Sequence, residues 1–132
     1  LLLDYNSFSV ALGHIFDNAT KYALPKTKIS IWFYENVLED HFDINIDMIS
    51  LKVDNCDKEK IFQEGFSAKY AQEKEVCGTG VGLYIARRMI EFNKGKISFL
   101  PNITPKENRK IDGFPYEKNR IRIVFPDKDH YH

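Results

Sequence analysis

Charge of one sign, cysteine and long apolar runs are all scarce in this 132-residue chain, and each shortage removes a class of protein. Lys plus Arg number 19 and Asp plus Glu 19, so the formal net charge is zero. A nucleic-acid-binding domain normally carries a basic excess, and none is present. The two cysteines, Cys56 and Cys77, form no CxxC pair, which excludes a disulfide framework and a zinc site. Free thiols fit a reducing compartment, so the expected location is cytoplasmic. No apolar stretch approaches the roughly 18 residues that mark a membrane-spanning helix, and no direct membrane contact is expected. The N-terminus has no signal-peptide pattern and Leu1 is not an initiator methionine, so the chain is expected to be part of something longer. What is present is 43% hydrophobic and 29% charged residues, a balance suited to one globular domain spanning 1–132 with one core.

Apolar residues Phe8, Leu12, Ile15, Ala19 and Tyr22 recur at helical spacing and predict a helix over 7–23. Asn6 or Ser7 would cap it and Pro25 would end it. Residues 28–34 alternate, with Ile29, Ile31 and Phe33 on the face expected to be buried. Residues 43–53 read as strand, but Ile44 and Ile46 are out of phase with Ile49, Leu51 and Val53. A bulge or turn near Asp47 would account for the slip. The pattern weakens from 55 to 78, a length unusual for a structureless loop. A second helix is expected over 83–93, stopped by Gly95. A strand follows over 96–100, then a polar loop over 101–119, then a strand over 120–125. Strands joined by short connections imply hairpins. The fold class is therefore a two-layer α/β sandwich, with a mixed, mostly antiparallel sheet and helices on one face.

Three of the seven glycines fall at 78, 80 and 82, immediately before the second helix. Two readings fit. Such a turn can serve tight packing alone. It can also leave backbone N–H groups bare beside a helix N-terminus, which is a cradle for phosphate. His14 and Asn18 lie four apart and share a helix face. Asn18, at the edge of the apolar stripe, either caps a neighbouring loop or offers a hard oxygen to Mg²⁺. Asp54 either opens a turn or accepts a hydrogen bond from the exocyclic amine of adenine.

The segment from His14 to Tyr22, reading His-Ile-Phe-Asp-Asn-Ala-Thr-Lys-Tyr, resembles the asparagine box of the histidine-kinase-like ATPases. That superfamily has the Bergerat fold and includes sensor histidine kinases, type II topoisomerases, a DNA mismatch-repair ATPase and large heat-shock chaperones. Val53-Asp54-Asn55-Cys56 stands where its first glycine box belongs. Residues 61–67, with Phe62 and Phe66, resemble the phenylalanine box of the kinase branch. Gly78-Thr79-Gly80-Val81-Gly82-Leu83 resembles the second glycine box. The four motifs occur in order across about residues 7–126.

The resemblance implies ATP and Mg²⁺ as cofactors. Asn18 would hold the metal, Asp54 would bind adenine, and Lys21 and Tyr22 would lie near the phosphates or the adenine edge. Gly78, Gly80 and Gly82 would let a lid, about 56–77 and mobile without nucleotide, approach the phosphates. Thr79, Ser67 and Lys69 would stand near phosphate, and Phe62 and Phe66 would anchor the lid. Two departures stand out. Cys56 and Lys58 replace the glycines of the first box, and His14 stands where kinases have Asn. His14 is read either as a general base or as a spectator, imidazole being a poor partner for Mg²⁺. The function implied is the catalytic domain of a sensor histidine kinase. It would pass the γ-phosphoryl to a histidine on separate dimerisation helices, with a response regulator downstream. None of His14, His41, His130 and His132 sits in the family's phosphoacceptor pattern. A degenerate nucleotide sensor and an ATP-hydrolysing switch are the alternatives.

Overall fold

The computed structural model describes residues 3–126. Its elements run α1 (Tyr5–Tyr22), β1 (Ser30–Asn36), β2 (His41–Leu51), two 3-10 turns (Asn55–Asp57 and Lys60–Phe62), α2 (Lys69–Glu73), α3 (Gly82–Phe92), β3 (Lys96–Leu100), a further 3-10 turn (Pro105–Glu107), β4 (Arg109–Ile111) and β5 (Phe114–Pro126). The strands pair in the order β1-β2-β5-β3, with β4 added to β5, and every pairing is antiparallel. Helices α1 and α3 cover one face. The architecture is thus the expected two-layer sandwich.

The core lies between that helix pair and the sheet. Ala11, Ile15 and Ala19 of α1 and Leu83, Ala86 and Ile90 of α3 meet Ile44, Ile46, Met48, Ile97, Ile121, Ile123 and Phe125. Small residues on α1 let the helix approach the sheet closely, while branched and aromatic side chains on the strands fill the gap. Asp4 caps α1, accepting from the N–H groups of Asn6 (2.9 Å) and Ser7 (3.3 Å). The cap therefore lies two to three residues before the expected one. Asn93 ties the ends of the two helices together, accepting from the Asp4 N–H at 2.6 Å and donating to Ser7 Oγ at 2.9 Å.

Four sequence expectations are corrected. Strand β2 pairs residue for residue with β5 from His41 to Leu51, with no bulge at Asp47. The alternation slips because the strand is buried on both faces. Ile44, Ile46 and Met48 enter the main core, whereas Ile49 and Leu51 enter a second cluster with Tyr116 on the opposite face. Next, the alternating segment after α1 is an edge strand, and Ile29, Ile31 and Phe33 stay exposed. Their register places Ile31 and Phe33 beside Ile46 and Ile44, on the helix-bearing side, but α1 packs over β2 and does not reach them. Third, Gly95 is not the left-handed stop of α3. Lys94 takes that conformation (φ 64°), and Gly95 is glycine because a Cβ there would sit 2.6 Å from the Phe125 ring. Finally, the presumed loop 101–119 contains β4 and the first residues of a 13-residue β5, folded about Asp112 and Gly113, both at positive φ. His130 and His132 lie outside the described residues.

The outer face of the sheet is crossed by ion pairs. Arg120 binds Asp47 through two parallel contacts (2.6 and 2.9 Å) and stacks over Trp32. Arg122 reaches Asp43 at 2.6 Å. His41, opening β2, has Nε2 2.7 Å from Glu39 and Nδ1 2.6 Å from Asp43. Glu39, and secondarily Asp43, hold the imidazole above its ordinary range against the opposing effect of burial. A group with a raised folded pKa stabilises fully below its unfolded value and loses that contribution as pH rises through the folded value. Denaturant midpoints measured from about pH 6 to about pH 8.5 should therefore fall for the native chain relative to His41→Asn. Parallel curves would place the histidine outside the pH-linked stability.

Candidate functional site

One cavity of about 230 Å³ opens between α1, the start of α3 and the end of the sheet. Its geometry follows from where each element stops. Helix α1 presents His14, Asn18, Lys21 and Tyr22 on successive turns of one face, because these positions are spaced three and four apart. The segment 78–83 forms the facing wall, and Met48, Ser50, Asn119 and Ile121 of the paired strands form the floor. The Asn18 side-chain amide makes no hydrogen bond to any other described residue, so its carbonyl oxygen is available to a ligand. The capping role for Asn18 is thus set aside. His14 faces the first turn of α3, its Nδ1 3.7 Å from where a Cβ on Gly82 would lie.

The glycines have separate jobs. A Cβ on Gly78 would fall 2.6 Å from Lys21 Nζ, so the missing side chain lets the ammonium lie against the lid backbone. Gly80 (φ 74°) would drive a Cβ to 2.7 Å from the Gly65 carbonyl carbon, and Gly65 itself has φ 80°. Two residues without side chains, both in the left-handed region, can touch there. The Gly65 N–H donates to the Gly80 carbonyl at 2.9 Å, closing a neck. Gly82 meets only ordinary contacts, so its part is to open α3 rather than to relieve crowding. Helix α3 follows Val81 at its N-cap, with no side-chain cap and no acidic residue in its first turn. Val81, Gly82 and Leu83 at its start line the cavity, which puts the positive end of its dipole there. With Lys21 opposite, the arrangement favours an anion.

Tyr22 adds a second tie to the lid. Burial raises its hydroxyl pKa, the Cys77 thiol adds to the rise, and the Gly78 backbone offsets part of it by hydrogen bonding. Phe66, Ser67, Thr79, Val81 and Leu83 also line the cavity. Four residues expected at the site do not line the cavity. Phe62 is buried in the main core, with Arg87 stacked on its ring at 5.3 Å. Cys56 and Lys69 are exposed. Asp54 follows the cavity-lining Val53 and precedes the Asn55–Asp57 turn, at the cavity's edge rather than on its wall. Arg87 also pairs with Glu59 at 3.4 Å, which fixes the turn carrying Phe62 to α3.

The polar floor was not anticipated from sequence. Asn119 is buried, donates to Ser50 Oγ at 2.7 Å and accepts from the Asn102 N–H at 3.0 Å. Its neighbour Glu117 is also buried, one carboxylate oxygen lacks a partner, and burial raises its pKa. Lys52 opposes that rise and Asp54 adds to it. Reading residues 41–51 as one unbroken strand would have placed Ser50 on the same face as Ile44 and Ile46, hence beneath the helices.

The model of the histidine kinase-, DNA gyrase B-, and HSP90-like ATPases matches residues 4–129. The chain belongs to that family. Among curated relatives, the histidine protein kinase SaeS of Staphylococcus aureus is 32% identical over 92 residues, covering 70% of this chain and 26% of SaeS. The chain thus spans about a quarter of that relative's length. The mycobacterial sensor histidine kinase MprB superposes with a TM-score of 0.71 at 18% identity, over 93% of this chain and 72% of that one. The catalytic domain of histidine kinase ThkA superposes with a TM-score of 0.67 at 25% identity, over 95% and 69%. The chain is an ATP-binding catalytic domain of the histidine-kinase type.

The neck can be tested directly. Gly80→Ala forces a left-handed alanine, at roughly 1–2 kcal/mol, against the Gly65 backbone. Weaker ATP binding by calorimetry is expected with the sheet intact. Unchanged affinity would mean that the neck does not position the glycine wall.

Proposed function

We propose that this domain binds Mg·ATP in the cavity between α1 and α3 and passes its γ-phosphoryl to a histidine on separate dimerisation helices. The observation that carries the reading is convergence. An unspent amide (Asn18), an ammonium (Lys21) and an uncapped, glycine-flanked helix N-terminus all face one cavity. Among the described residues no group of three or more His, Cys, Asp and Glu could hold a metal by itself. That suits Mg²⁺, which keeps several waters and is held by one or two protein oxygens together with phosphates. When bound, Mg²⁺ would supply positive charge against that of the phosphates. Asn18 would be its protein ligand. Lys21 and the backbone of 78–82 would hold the phosphate tail, and Asp54, at the cavity's edge, would accept the adenine amine. Thr79 and Ser67 would add hydroxyls to the phosphate end. His14 would sit beside the reacting end as a spectator rather than a base, since its imidazole lies against Gly82 and imidazole is a poor partner for Mg²⁺.

In this reading the acceptor histidine and the response regulator belong to other domains or chains of a two-component system acting in the cytoplasm. Among the described residues no helix is long and apolar enough to cross a membrane. A second reading, nucleotide sensing without transfer, is favoured by Cys56 and Lys58 at the expected glycine positions.

The test combines binding and turnover. Calorimetry should detect Mg·ATP, with Asn18→Ala removing the Mg²⁺ dependence and Asp54→Asn weakening binding by roughly tenfold or more, the worth of a charged hydrogen bond. Supplying dimerisation helices that carry the acceptor histidine should then yield phosphohistidine. Binding without phosphohistidine would move the assignment to the sensor, and phosphate release alone to a hydrolysing switch. Full Mg²⁺-dependent binding by Asn18→Ala would place the metal elsewhere.

A further inference from the structure

The lid's only α-helix, α2, has five residues and no side-chain cap, too little to hold its own position. Its hold comes from outside the lid. Lys74, directly after α2, is half-buried against the β4–β5 hairpin. Its ammonium donates a hydrogen bond to the Tyr116 hydroxyl. It also lies 5.1 Å from the centre of the Tyr116 ring and 5.8 Å from that of Phe114. Tyr116 is buried at 1% exposure and is fixed by pairing with Leu51, so the clasp is mounted on the central strands. Tyr70 and Val76, on either side of Lys74, pack into the same cluster with Ile49, Leu51 and Phe114.

The arm that follows leads straight to the cavity. The Lys74 N–H bonds the Tyr70 carbonyl and the Val76 N–H bonds the Ala71 carbonyl, with Glu75 at positive φ between them, so the turn is tightly closed. Ala71 lines the cavity. Two residues past Val76, Gly78 meets Tyr22 and Lys21. The position of Lys74 therefore sets where both Ala71 and Gly78 stand.

We propose that Lys74 is a positioning residue for the nucleotide, clasped by Phe114 and Tyr116 of the β4–β5 hairpin so that the lid arm 70–78 stays over the phosphate end of the cavity. The hairpin acts as a strap across the lid. An ammonium that donates to a buried phenol hydroxyl and lies near a second aromatic ring gains more than an exposed ion pair, because its partners are already ordered. The proposal rests on the Mg·ATP reading only for its consequence; the strap itself is built from side chains of this chain alone.

Three variants of the 132-residue chain test it: Lys74→Met, which keeps the apolar stem; Lys74→Arg, which keeps the cation; and Tyr116→Phe, which removes only the hydroxyl. Amide exchange without nucleotide should speed up across 70–79 in Lys74→Met and, less strongly, in Tyr116→Phe, with β2 and β5 still protected. Lys74→Arg should resemble the native chain. Stopped-flow release of a fluorescent ATP analogue in Mg²⁺ should be roughly tenfold faster for Lys74→Met. Native exchange at 70–79 in Lys74→Met overturns the strap. Faster exchange with unchanged release overturns the positioning role. If Lys74→Met loses protection throughout the sheet, Tyr116→Phe decides: loosening confined to 70–79 supports the proposal, and none overturns it. Failure of the native chain to bind Mg·ATP would count against the nucleotide reading, while exchange in the empty protein would still judge the strap.

Discussion

Burial of β2 on both faces is the constraint on which the other parts hang. Its even-numbered residues from 44 to 48 carry the helix layer, and Ile49 and Leu51 carry the second cluster beneath the lid. Because its neighbours β1 and β5 pair with it in unbroken register, the strand cannot slip by one residue without exchanging those two sets. The isolated bridge from Ala23 to Ser50 then fixes where α1 ends. That end point decides which face of Tyr22 and Lys21 reaches the cavity. A purely packing-level feature thus determines the placement of charge.

Polar and apolar interactions divide the work by location. The helix side is apolar except at the cavity floor, where Asn119 links Ser50 to the Asn102 backbone. The outer side is held by arginine–aspartate pairs across β2 and β5, with Trp32 covering one guanidinium. Such partly exposed pairs add modestly to stability and favour the register that sets Asp47 opposite Arg120. At the cavity the balance reverses. Groups there are left without partners, as expected where binding rather than stability has set the residue choice.

Much of this was legible in the residues. The helical spacing of Phe8, Ile15 and Ala19, the alternation of Ile121, Ile123 and Phe125, and the four ordered motifs sufficed for fold class, family and the residues from His14 to Tyr22 and Gly78 to Leu83. What stayed hidden has physical causes. Periodicity cannot distinguish a strand buried on both sides from one that bends, so Asp47 was read as a bulge. Alternation reports a strand's two faces but not whether any helix covers them, so Ile31 and Phe33 were expected inside. The hairpin of β4 and β5 escaped notice because its turn, Asp112-Gly113, lies in a polar setting where only pairing with β5 makes it a strand. The floor residues Ser50 and Asn119 come from distant segments that only the sheet register brings together.

The contact between Gly65 and Gly80 closes the intervening residues into a loop whose two ends meet backbone to backbone. A loop whose two ends are joined by backbone alone is a closed ring in the sense of chain connectivity. Residues inside it that touch neither the β4–β5 hairpin nor the cavity can be added or exchanged at little cost to that closure. Doubling such a ring costs only about 0.6 kcal/mol in closure entropy. Lids of very different length and sequence can therefore be mounted on the same cavity, provided the two joining positions carry no side chain. In this chain the freedom to vary lies in the stretches that touch neither hairpin nor cavity, and the constraint lies in the neck.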